Sequence, residues 1–177
     1  MTTLLLALLV VSGSAPPGGA QEPQHTMPPG MTHEEHLRQL QKDADLKTRG
    51  AAAMGFDQET TVHRFVLKPD GGAIDVRVKR SSDRAGRDQI RAHLQQIAKV
   101  FAAGDFAAPL ATHGELPPGA DTMRERGSTI AYLYEKTSLG GRVRIATNDP
   151  AARLAVHDFL RYQIREHGTG DSESVRR

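Results

Sequence analysis

The sequence predicts an α+β protein: a tandem ββα repeat giving a four-stranded antiparallel sheet with two helices on one face, plus an N-terminal helix. Three observations predict it. Two stretches follow one plan of strand, Gly-Gly turn, strand and amphipathic helix. The first runs from Val62 through Gly71-Gly72 to about Phe101, the second from Ile130 through Gly140-Gly141 to about His167. Within each hairpin apolar and charged residues alternate, the period of a strand with one packed and one wet face. After each hairpin the apolar spacing becomes helical. Two such units with wet outer strand faces most simply share one sheet, with both helices covering the same side. Two separately packed halves are the alternative.

Taken in order, Leu4 to Val11 form an apolar run too short to span a bilayer and of the size of a secretory h-region. Gly18-Gly19-Ala20 supplies the small residues a signal peptidase needs, so residues 1–20 read as a signal peptide, with Ser12-Gly13-Ser14 a second cleavage candidate. No Lys or Arg precedes the apolar run, which departs from the usual pattern. Residues 21–50 read as a flexible His- and Met-containing linker and a short helix. Thr32 and Glu35 make a capping box at its start, Leu37, Leu40 and Ala44 give a thin apolar stripe, and Gly50 is expected to end it. The globular domain is expected over 51–168 and a disordered tail over 169–177.

In the first hairpin Phe65 and Leu67 share a face, and Ile74, Val76 and Val78 alternate with Asp75, Arg77 and Lys79. Asp70-Gly71-Gly72 is read as supplying the positive φ angles of a tight turn. Ser82 or Asp83 caps a helix whose buried stripe is Ile90, Leu94, Ile97 and Phe101, closed by Gly104. Residues 104–127, with Pro109, Pro117 and Pro118, read as a long loop, a feature that is often functional. Ile130, Tyr132 and Tyr134 alternate in the next strand, and Val143 and Ile145 oppose Arg142 and Arg144 in the last. Asp149-Pro150 starts the final helix, Val156, Phe159, Leu160 and Ile164 form its stripe, and Gly168 stops it.

Composition narrows the chemistry. Lys and Arg number 23 and Asp and Glu 21, for a net charge of +2, and no basic run is interleaved with stacking aromatics, so nucleic acid is not an expected partner. Beyond the signal segment no stretch would cross a membrane. Cysteine is absent, so an exported chain must rely on packing, and the only soft or borderline metal donors are methionine and histidine. There is no Gly-x-Ser-x-Gly elbow, phosphate loop or dinucleotide fingerprint. His33-Glu34-Glu35-His36 has its histidines three apart, where the zinc-protease motif needs four.

The histidines carry the functional expectation. His63 shares parity with Phe65 and Leu67 and should face the helices. His93 borders the stripe of the first helix, and His157 that of the second, with His167 ending the same helical line. Three imidazoles would thus point into the layer between sheet and helices, a geometry suited to copper or zinc, with His113 and Met123 of the long loop closing it. The alternative role for each is an ordinary hydrogen bond to a backbone carbonyl. A second candidate set, His25, Met27, Met31, His33 and His36, combines thioether and imidazole, which suits copper. Arg77, Arg142 and Arg144 read as a solvated sheet face that would bind anions if aligned.

Six segments resemble a family of small exported bacterial proteins: Met54-Gly55-Phe56-Asp57-Gln58, Thr61 to Phe65, Asp70-Gly71-Gly72-Ala73-Ile74, Ile90-Arg91-Ala92-His93-Leu94, Gly104-Asp105-Phe106, and His157-Asp158-Phe159-Leu160-Arg161-Tyr162-Gln163-Ile164. The resemblance covers about Arg49 to Gly170 and implies export but no particular activity. Members at times carry the label aspartate carbamoyltransferase, which this short chain, lacking the Ser-Thr-Arg-Thr carbamoyl-phosphate loop, does not support. Two adjacent histidines precede the first-strand Phe in the family pattern; here they are His63 and Arg64.

The expected function is therefore a periplasmic or secreted protein binding a transition metal, copper before zinc, with no enzymatic activity expected. A non-catalytic module binding another envelope protein is the alternative. An enzyme would need His113 or His63 beside a carboxylate such as Asp57.

Overall fold

A computed structural model describes residues 28–175. The expected signal peptide, His25 and Met27 lie outside the described residues. The chain divides into two units, Met1–Leu37 and Arg38–Arg177. In the first, the Thr32–Glu35 box closes as expected: Thr32 N–H donates to Glu35 Oε2 at 2.8 Å and Glu35 N–H to Thr32 Oγ1 at 3.3 Å. It opens helix α1 (His33–Met54).

The second unit is an α+β fold built on one four-stranded antiparallel sheet. Strands β1 (Thr61–Lys68) and β2 (Gly71–Val78) form one hairpin, β3 (Ile130–Lys136) and β4 (Gly140–Thr147) the other. The order is β1-β2-β4-β3, so the second strands of the two hairpins meet at the centre, Ile74 opposite Val143. Helices α2 (Arg84–Ala102) and α5 (Pro150–Glu166) cover one face. Phe65, Leu67, Ile74, Val76, Tyr132, Val143 and Ile145 meet Ile90, Leu94, Phe101, Val156, Phe159 and Leu160 there in a single core. Asp83 caps α2 through Gly86 N–H at 2.9 Å, and Asp149 caps α5 through Ala151 N–H at 2.8 Å.

The wet face is a ladder of ion pairs. Arg142 bonds Asp75 and lies 3.5 Å from Glu135, while Arg144 bonds Asp70 and the Gly72 carbonyl, so these arginines are neutralised by their neighbours.

The Gly-Gly pairs do not make the turns. Lys68 pairs with Gly71 and Lys136 with Gly141, so each pair opens the returning strand. Of the four, only Gly71, at φ 133°, needs a backbone that favours glycine. The others permit close approach. A Cβ on Gly72 would lie 2.2 Å from Leu160 Cδ1 and 2.6 Å from the Val66 carbonyl oxygen; on Gly141 it would lie 2.9 Å from Tyr134 Cε2 and 3.1 Å from Leu94 Cδ1. Missing side chains let helix and neighbouring strand settle close on the sheet.

Three further expectations are corrected. Gly50 does not end α1, which continues to Met54, because the second half of the helix is docked: Leu46 is buried and Arg49 Nε donates to the Thr112 carbonyl at 3.0 Å. The compact unit therefore begins before residue 51. The expected long loop holds helices α3 (Ala107–His113) and α4 (Ala120–Glu125), with Pro117, Ala120 and Met123 fully buried. Of the expected disordered tail, the described residues 169–175 are tied down: Asp171 accepts from Phe65 N–H at 2.9 Å and pairs with Arg64 at 3.2 Å, and Glu173 pairs with Arg165 at 2.8 Å. Among the described residues no helix is long and apolar enough to cross a membrane.

Candidate functional site

Four histidines from four elements line one cavity of about 70 Å³: His63 on β1, His93 on α2, His113 ending α3, and His167 just past α5. Strand parity puts His63 on the packed face with Phe65, and helical spacing puts His93 beside the Ile90–Leu94 stripe. Helix α3 carries His113 over the same region, and α5 delivers His167 above β1. The remaining lining is mostly apolar, including Phe65, Ile97, Phe101 and Phe159, and among the described residues it contains no Asp, Glu, Lys or Arg.

The rings touch in series. His63 stacks on His167 with centroids 5.6 Å apart and planes 17° apart. His113 meets His167 edge-on at 5.2 Å and 85°. Phe56, the residue that follows α1 by two, stacks on His63 at 5.8 Å and meets the edge of His93 at 5.5 Å. Removal from water disfavours the imidazolium, pushing His63 and His93 down to about 4 and His167 to about 3. His113 is lowered by the same burial, against the opposing pull of its Gln163 bond and of Glu166 and Glu115. All four are therefore neutral at pH 7.

His113 Nε2 lies 3.0 Å from Gln163 Oε1, an acceptor, so Nε2 carries the proton and Nδ1 keeps a bare lone pair. That Nδ1, His63 Nε2 and Gln163 Nε2 are buried without a hydrogen-bond partner. Unmet polar atoms of this kind cost roughly 1–3 kcal/mol each, and three of them border one cavity. A polar guest would repay them.

His63, His93 and His113 reach the cavity. His157 does not: its Nε2 donates to the Lys68 carbonyl at 2.9 Å. The reason is distance along the helix: His157 precedes His167 by ten residues, about 15 Å, and so lies over the Lys68 end of β1 rather than the His63 end. Met123 is likewise a core residue of α4 rather than a closing ligand. Met31, His33 and His36 belong to the other unit, at the start of α1. Asp57 caps a turn of 3₁₀ helix through Glu59 N–H at 2.8 Å and does not line the cavity, so no catalytic His–Asp pair forms there. Among the described residues no three His, Asp or Glu side chains are grouped so as to hold a metal ion.

Sequence reasoning left out Gln163 and Met54, which line the cavity, and gave His167 only a place in a helical line. Comparison of the chain with protein-family models, curated proteins and solved structures finds no match.

Proposed function

We propose that the chain is an exported, non-catalytic binding protein whose site is the histidine cavity and whose guest is a transition metal, copper ahead of zinc. Size carries the reading. A cavity of about 70 Å³ has room for water or an ion and is small for a drug-sized organic ligand. Its donors are neutral imidazoles, which need lose no proton to bind. His113 has the bare nitrogen of a ligand whose other nitrogen is oriented by a hydrogen bond.

Zinc takes three or four protein ligands, and among the described residues no such group stands ready. His113 and His167 meet edge-on with His63 stacked behind, and we infer that monovalent copper, a soft ion that takes imidazole, is the guest they would bind.

Competition of the purified protein with a chromophoric copper(I) chelator tests this. The expected dissociation constant is below about ten micromolar, weakened at least tenfold in His113→Phe and His167→Phe and unchanged in His157→Phe. Weaker binding by the native chain, or equal loss in all three variants, refutes it.

A further inference from the structure

Two imidazoles leave a copper(I) ion open to a soft neighbour. We propose that the Met54 thioether is the further ligand of the cavity and the residue that selects copper(I) over zinc(II). The inference rests on the metal reading above and adds a donor the histidines alone do not supply.

Met54 lines the same cavity as His63, His93, His113 and His167. It is the last residue of α1 and is held from both sides. One turn earlier, Arg49 Nε donates to the Thr112 carbonyl at 3.0 Å, which fastens α1 beside the residue preceding His113. One residue later, Gly55 turns the chain at φ 71°, and Phe56 then packs its ring on His63 and His93. Met54 is thus fixed between an anchor on the His113 side and an anchor on the His63 side.

The chemistry fits the place. A thioether is neutral and soft, carries no proton to displace, and pairs with imidazole as a copper(I) donor set, whereas zinc favours thiolate, imidazole or carboxylate. The competing role is a flexible side chain filling an irregular gap in the core.

Met54→Leu separates the two, because it conserves volume and removes only the sulfur donor. The purified native protein and the variant are compared by copper(I) competition, zinc titration, thermal melting and copper-edge X-ray absorption. The expected result is a sulfur scatterer in the native spectrum, lost in the variant. Copper(I) affinity falls at least tenfold, while zinc binding and the melting temperature are unchanged. Three results overturn the inference alone: undiminished copper(I) binding by Met54→Leu, a native spectrum with nitrogen and oxygen scatterers only, or a sulfur signal that persists in the variant and so belongs to another methionine. If the native protein binds no copper(I), the metal reading itself falls, and this inference with it.

Discussion

His157 and His113 show one side chain put to two uses. Each has a single ring nitrogen engaged, His157 with a backbone carbonyl and His113 with an amide oxygen. His157 is 6% exposed and serves the strand below it, holding the Lys68 carbonyl where β1 ends. Replacing it with leucine removes that bond, while the Lys68–Gly71 pairing of the hairpin remains, and should cost about 0.5–1.5 kcal/mol in denaturant unfolding, with copper(I) binding untouched. His113 lies at a cavity wall, so His113→Phe should do the reverse. Gly72 makes a third residue-scale case. Its missing side chain leaves room for Leu160 on one side and the Val66 carbonyl on the other. Leu160 can turn away from a new methyl group, but the carbonyl cannot. Gly72→Ala should therefore destabilise the fold by roughly 1–3 kcal/mol, measured in the same experiment.

At the scale of elements, what was readable was what repeats locally. The Phe65–Leu67 and Ile74–Val76–Val78 alternation, the Ile90–Leu94–Ile97–Phe101 stripe and the Asp149-Pro150 start each declare themselves within a few residues, and the sheet and its two covering helices follow. What was not readable depends on a partner far along the chain. Gly50 looks like a helix stop until Thr112 is known to hold Arg49 from 63 positions away. Residues 104–127 look like a loop because α3 and α4 are too short to show a period, and they exist because α5 has a second side to cover. His63 and His93 were legible as inward-facing, whereas the joining of His113, His167 and Met54 to them required the tertiary path. The tail is the same kind of case. Thr169 to Val175 has little apolar content, yet Asp171 is aimed at an amide on the open edge of β1. Asp171→Ala should release that edge. Hydrogen exchange at the Phe65 amide is expected to quicken in the variant while the central β2 and β4 amides keep their protection; unchanged exchange at Phe65 would mean that the tail does not guard the edge.

For the whole molecule, the histidine cluster sets the response to acid. His63 and His93 fall from an ordinary value of 6.5 to about 4 in the folded protein, His167 falls to about 3, and His113 moves the same way. Their common first cause is burial, with mutual repulsion among His63, His93, His113 and His167 added to it. The charges acting on His113 are Glu166, tied to Lys42 at 3.0 Å, and Glu115, which accepts from Tyr162 at 2.7 Å, both softening its shift, and Arg49, which adds to it. Above pH 6.5 the folded and unfolded chains are alike at these groups, and nothing is lost. Between 6.5 and 4 the unfolded chain takes up protons that the folded one refuses, so stability falls as pH falls, by up to about 1.4 kcal/mol per pH unit for each of His63, His93 and His167. Below 4 the folded His63 and His93 titrate too, and their share of the loss levels off. The Asp149 carboxylate acts in a lower window: held down by its Ala152 and Arg126 partners, it contributes above its ordinary 3.8 and fails only beneath it. Melting temperatures taken from pH 7.5 to 4 should therefore hold level and then decline below about pH 6, and His93→Phe should shallow the decline by about one proton's worth. A flat profile down to about pH 4.5 would show that the imidazoles remain open to water in the folded protein, and with that the neutral donor set proposed for the metal would lose its basis.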